Sequence, residues 1–206
     1  MPVTEQLPVF DARLLRHETE LKQIYEGLYH DQQAYSYFVG MLRRMWEARN
    51  EHLRLLDEQR ERNAKWYRGR DLVGMLMYVD AFAGTLSGIR EKLDYIQETG
   101  VNYLHLMPLL ESPAGRSDGG YAVSDFRRVQ PELGTMEDLA ALAEDCHGRG
   151  MALCLDFVMN HTSEDHEWAV RARKGDPDQA PPSLGFSRQE HWSGLPYPSP
   201  RHESEK

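Results

Sequence analysis

The chain has 206 residues, 40% of them hydrophobic and 28% charged, with a net charge of -9. That length leaves room for one or two domains, and the negative balance argues against nucleic acid or an anionic membrane as partner. No apolar run approaches the roughly 20 residues that a membrane helix needs, and the start Met-Pro-Val-Thr-Glu-Gln lacks the basic end and apolar core of a secretion signal, so a cytoplasmic protein is expected.

Residues 11 to about 68 read as helical throughout. Asp11 can cap a first helix carrying Leu14, Leu21, Ile24 and Leu28 at helical spacing. After a break at Gly27–Asp31, a second helix places Tyr35, Phe38, Leu42, Met45 and Trp46 on one stripe, which core packing explains more simply than a partner surface. A third, heavily charged helix is expected over Glu51–Lys65. Nothing in this region suggests chemistry. It is taken as a helical N-terminal domain, residues 1–70.

From Leu72 the pattern changes. Leu72–Val79 is a continuous apolar run ending at Asp80, followed by a helix with Leu86, Ile89, Leu93 and Ile96 in step, which Gly100 is placed to stop. Val101–Met107 is a second apolar run, ended by Pro108, and a long loop is expected over 109–134. Thr135 and Asp138 form a capping pair for another helix with Leu139, Leu142, Ala143 and Cys146 inward, before a third run, Met151–Phe157. Alternating strands and helices of this kind predict a parallel sheet with right-handed crossovers. Cys146 and Cys154 sit in apolar segments and are expected to be buried free thiols.

Two stretches carry polar residues where chemistry would sit. Asp156-Phe-Val-Met-Asn160-His161-Thr162 begins where the third strand should end, and the carboxyl ends of strands are where ligands bind in α/β folds. A plain strand-end turn is the alternative. The long loop holds Ser117-Asp118-Gly119-Gly120-Tyr121-Ala122-Val123-Ser124-Asp125-Phe126. A tyrosine beside an acid suits a sugar, the ring packing on CH groups while the carboxylate takes hydroxyl hydrogen bonds. A surface loop with one packed tyrosine is the alternative.

Taken together these stretches resemble glycoside hydrolase family 13, the α-amylase family. Asp156–His161 is similar to its first signature region at the end of the third barrel strand. Gly120–Phe126 is similar to its Gly-Tyr-x-x-x-Asp-Tyr loop, and Gly100–Pro108 to its second-strand region. The string Ser117–Ser124 and a helical domain ahead of the barrel resemble the amylosucrase group, sucrose-using glucosyltransferases. The resemblance implies an α/β fold, an incomplete TIM (β/α)8 barrel of three strands over residues 71–178, preceded by the all-α domain. It implies that Tyr121 stacks on the glucosyl ring and His161 bonds its hydroxyls. Asp118 would close the pocket floor with an arginine from late in the barrel, and Asp156 would support the site by pairing with an arginine near the nucleophile. Asn160 would fix the loop; in many relatives it helps bind calcium, but neither a metal nor a cofactor is expected here. Sucrose or an α-glucan is the implied ligand.

This family's chemistry needs an aspartate nucleophile and a glutamate acid/base. The resemblance places them after the fourth and fifth strands. A complete barrel takes about 250 residues, and the chain after Leu72 holds about 135. The chain alone is therefore expected to be inactive and marginally stable, with open strand edges. A sugar-binding fragment or a truncated product without function are the competing readings. Residues 179–206, rich in Pro, Ser and charge, are expected to be an unrelated disordered tail; Ser187–Pro196 is similar to translations of an interspersed genomic repeat.

Overall fold

A computed structural model of the chain describes residues 9–29 and 32–175. The described residues fall into two compact units, up to Arg54 and from Leu55 onward. The tail expected at 179–206 lies outside the described residues.

The first unit is a helical hairpin. α1 (Val9–Tyr29) and α2 (Gln32–Ala48) lead into α3 (Glu51–Arg62). Asp11, near the start of α1, pairs with Arg43, near the end of α2, so the two helices run antiparallel. That guanidinium holds the Asp11 carboxyl below its ordinary value. Helix α1 starts at Val9, so Asp11 lies inside the first turn and serves as an ion-pair partner rather than the cap. Tyr25 stacks on Phe38 with ring centroids 5.1 Å apart and meets Tyr35 edge-on at 5.6 Å. The aromatic stripe thus packs as expected at Tyr35, which is buried. The α1 stripe does not: α1 has no buried residue, and Ile24 and Leu28 stand exposed.

The second unit begins with the end of α3 and a single 3-10 turn at Trp66–Arg68, where Arg60 stacks 3.9 Å over the Trp66 ring. Then come β1 (Gly74–Met77), α4 (Val79–Ala83), α5 (Leu86–Glu91), α6 (Leu93–Glu98) and β2 (Tyr103–Leu106). A ribbon of β3 (Leu110–Glu111) and β4 (Asp125–Val129) precedes α7 (Met136–Gly148), β5 (Ala152–Leu155) and α8 (Glu167–Arg173). The first strand is shorter than its apolar run because Val79 opens α4, and Phe82 N–H donates to Tyr78 O at 3.1 Å. The single helix expected over 86–96 is two, broken at Lys92, whose ammonium reaches back to Phe82 O at 2.8 Å. Gly100 ends α6 with φ 83, as its position suggested. Thr135 and Asp138 form the reciprocal capping box of α7, and those bonds hold the Asp138 carboxyl below its ordinary value.

The sheet order is β1-β2-β5, all parallel, with the row Leu76, His105, Cys154 in register. Period-2 alternation splits its residues between two faces. Leu104, Leu106 and Met77 join Leu86, Ile89, Leu93, Ile96, Leu142 and Cys146 in one buried cluster. Leu76, Tyr103, His105 and Cys154 line the other face. Cys154 is therefore only half-buried, unlike Cys146. The segment expected as a structureless loop contains the antiparallel β3–β4 ribbon, with an irregular register between Leu110 and Glu111. The unit is an incomplete (β/α)8 barrel of three strands, preceded by helices. No helix among the described residues is long and apolar enough to cross a membrane.

Candidate functional site

Asp156 follows β5 by one residue and continues the backbone ladder, its N–H donating to Leu106 O at 3.1 Å. It lies two residues beyond Cys154, so it falls on the same face as His105, one step further along. That diagonal brings the carboxylate Oδ1 to 3.0 Å from His105 Nε2. The second oxygen, Oδ2, accepts the Tyr121 hydroxyl at 2.9 Å. An ionised carboxylate only accepts, so both partners donate to it. Both side chains of the His105–Asp156 pair are about a quarter exposed (27% and 24%), sheltered enough for the contact to matter.

Tyr121 reaches Asp156 from a loop that glycine makes possible. Gly119 and Gly120 have φ 60 and 89, a left-handed pair that lays the chain against its neighbours. A Cβ on Gly120 would stand 3.0 Å from Pro108 Cβ and 3.1 Å from Pro108 O; one on Gly119 would stand 2.9 Å from the Tyr78 hydroxyl. The loop is pinned by Tyr121 N–H on Asp118 O at 3.2 Å and by Ala122 N–H on the Ser117 hydroxyl at 3.0 Å. The Asp156 hydrogen bond, with burial and the charges of Asp156 and Asp118, raises the Tyr121 phenol above its ordinary value. The phenol therefore stays protonated and donating.

His161 closes the other side. Its Nε2 lies 3.2 Å from the Tyr121 carbonyl oxygen, which can only accept, so Nε2 carries the proton. Nδ1 is then the acceptor for the Asn160 amide nitrogen at 2.5 Å. The Asn160 amide thereby supports the tautomer that the Tyr121 carbonyl requires.

Asp156, Tyr121, Asn160 and His161 are thus joined in one hydrogen-bonded network, with Asp118 close enough to act on the Tyr121 phenol. Tyr121, Asp118, Asn160 and His161 are exposed, so the site is an open ledge. Two members escaped the sequence reading. His105 sits inside an apolar strand, and its parity is the signal: a polar side chain alternating with Leu104 and Leu106, on the face opposite theirs. Tyr78 follows β1, and its hydroxyl over Gly119 has no mark in the sequence. Among the described residues the side-chain partners of Asp156 are His105 and Tyr121.

The sequence profile of the α-amylase catalytic domain matches residues 23–192, a span that reaches into the tail segment. A trehalose synthase of Pimelobacter is 46% identical over 95 residues, covering 46% of this chain and 16% of that protein. An oligo-1,6-glucosidase of Bacillus cereus is 45% identical over 91 residues, covering 44% of this chain and 16% of that protein. Among solved structures, the trehalulose synthase of Pseudomonas mesoacidophila is 36% identical with a TM-score of 0.45, covering 50% of this chain and 19% of that one. The match thus spans about a sixth of the length of the curated relatives.

Proposed function

The chain belongs to the α-amylase family, and on that premise we propose that its barrel unit is the sugar-cradling part of an α-glucosyl-transferring site, amylosucrase-like in kind and cytoplasmic in setting. The ligand is sucrose or an α-glucan. The observation that carries this reading is the hydrogen bond from Tyr121 to Asp156, which fixes an exposed ring beside a carboxylate. A pyranose has an apolar CH face and equatorial hydroxyls. The ring takes the first, and Asp118 and the remaining lone pairs of Asp156 take the second. His161 lies beside the same ring through the Tyr121 carbonyl and would bond a further hydroxyl. The amylosucrase assignment rests on the string Ser117–Ser124 and on the helical domain ahead of the barrel.

The same geometry supports binding without turnover by this chain. A nucleophile needs an oxygen free to turn toward the anomeric carbon. Asp156 instead takes fixed donors on both oxygens, which is the arrangement of a supporting carboxylate. Binding is weak, because an open ledge leaves most of a sugar's surface wet.

The experiment is a titration of the purified 206-residue chain with glucose and with sucrose, followed by NMR, beside a sucrose assay for released fructose. Saturable millimolar-range binding, lost in Tyr121→Ala, and no fructose are expected. A folded sample that binds neither sugar overturns the binding reading. Fructose release abolished by His161→Ala overturns the inactivity.

A further inference from the structure

The Tyr121 side chain is partly exposed, at 38%. The residue stands outside the strands, on a loop with two left-handed glycines, and its side chain is anchored at the hydroxyl by Asp156. That anchor is itself a short side chain with a rotatable carboxylate. If the carboxylate turns, Oδ2 leaves the phenol and the ring is free to swing. What stops the turn is on the other oxygen: His105 Nε2, 3.0 Å from Oδ1.

His105 is well suited to this. Its backbone lies in the central strand of the three, paired on both sides, to Leu76 and to Cys154. Its flanking residues Leu104 and Leu106 are fully buried in the opposite face. The imidazole therefore projects from a backbone paired on both sides. A donor there orients the carboxylate in the way a partner of a metal-bound or catalytic group orients it, through the second oxygen.

We propose that His105 is a positioning residue: it locks the Asp156 carboxylate so that Oδ2 meets the Tyr121 hydroxyl, and through Asp156 it sets the orientation of the ring on which a hexose lies. This deepens the sugar-binding reading and rests on it for the hexose. The linkage His105–Asp156–Tyr121 stands on geometry alone. A packing role would ask only for a flat side chain of that size. A positioning role asks for the N–H.

The test uses the full chain and four proteins: wild type, His105→Phe, His105→Gln and Tyr121→Phe. Phenylalanine keeps the ring without the donor; glutamine keeps a donor at similar reach. Two readouts are taken on samples whose circular dichroism confirms folding. The first is the phenol titration of Tyr121 by NMR of tyrosine labelled at the ring carbon bearing oxygen, assigned by its absence in Tyr121→Phe. The groups facing that phenol are Asp156, Tyr78 and Asp118, and they are the same in every variant that retains Tyr121. The second is the Kd for glucose.

Wild type titrates above the ordinary tyrosine value. His105→Phe falls back toward it and binds glucose about tenfold more weakly, the scale of one charge-assisted hydrogen bond. His105→Gln recovers both. His105→Phe equal to wild type in phenol titration overturns the positioning role. If wild type binds no glucose but its phenol titration depends on His105, the sugar reading fails and the positioning role stands. If glucose binds and neither readout moves in His105→Phe, the positioning role fails and the sugar reading stands.

Discussion

Gly120→Ala tests whether the loop is built around contact with Pro108. Two costs add. At φ 89 an alanine pays roughly 1–2 kcal/mol for the left-handed backbone. Its Cβ would lie 3.0 Å from Pro108 Cβ and 3.1 Å from Pro108 O, tighter than ordinary contact by a few tenths of an ångström. A proline ring and a backbone carbonyl yield little, so overpacking adds about 1 kcal/mol. Against these stands a gain of about 0.5 kcal/mol from a stiffer unfolded chain. The net is about 2 kcal/mol of strain. The loop is tied to the end of β5 through the exposed Tyr121–Asp156 bond, so the strain is relieved by lifting the loop in a substantial fraction of molecules rather than by unfolding the barrel unit. Thermal unfolding by circular dichroism should therefore shift modestly, while the Tyr121 phenol titrates nearer its ordinary value. Gly115→Ala is the control: it lies in the same segment at φ 69 with nothing within 4 Å, so it pays the backbone cost alone. Equal losses in the two variants would refute the contact argument, as would a Gly120→Ala protein with unchanged melting and an unchanged phenol.

Gly88→Ala inverts the usual helix expectation. Inside a helix alanine is better than glycine by about 1 kcal/mol, but here the new Cβ would lie 2.2 Å from the Ala83 carbonyl oxygen. A net loss of about 2 kcal/mol is expected in urea unfolding, and any stabilisation would contradict it. The two thiols should separate on labelling. Burial, with Asp145 alongside, pushes Cys146 from its ordinary 9.0 up to about 11, whereas Cys154 is half-buried on the opposite face. At pH 8 a thiol reagent should modify Cys154 first and Cys146 on unfolding. A folded-state value raised in this way means stability that is complete below pH 9 and lost as pH climbs toward 11. Alkaline melts of Cys146→Ala should therefore fall less steeply than wild type, and equal slopes would count against the shift.

The sequence disclosed features that depend on neighbours in the chain and hid those that depend on register. Thr135 and Asp138 are three residues apart, so their capping box could be read directly. The leucines and isoleucines of α5 and α6 were legible for the same reason, and Leu86, Ile89, Leu93 and Ile96 are all fully buried. Asp11 failed because its partner, Arg43, lies in another helix. The β3–β4 ribbon was missed because Asp125-Phe-Arg-Arg-Val does not alternate and β3 is two residues long. The site divides in the same way. Asp118, Tyr121, Asp156, Asn160 and His161 stand in two short polar strings and could be named. His105 and Tyr78 acquire a role through pairing with residues 51 and 41 positions away, and one sequence without a sheet register cannot supply that.

The two faces of the sheet divide stability from chemistry. Leu104 and Leu106 are fully buried against α5, α6 and α7, so the energy of the unit is concentrated on that side. The other face carries Tyr103, His105 and Cys154 with Leu76, which is 61% exposed. The Cys154 side chain alongside, together with burial, raises the Tyr103 phenol above its ordinary value. A polar, half-wet face contributes little apolar burial, so side chains there are free to be chosen for what they hold in place. Replacing His105 should therefore move Tyr121 far more than it moves the melting temperature, whereas replacing Leu104 should do the reverse. The arrangement also has a cost: among the described residues β1 and β5 each pair on one side only. An unpaired edge next to an exposed leucine favours association through that face, and the same openness leaves the Tyr121 ring accessible to a ligand.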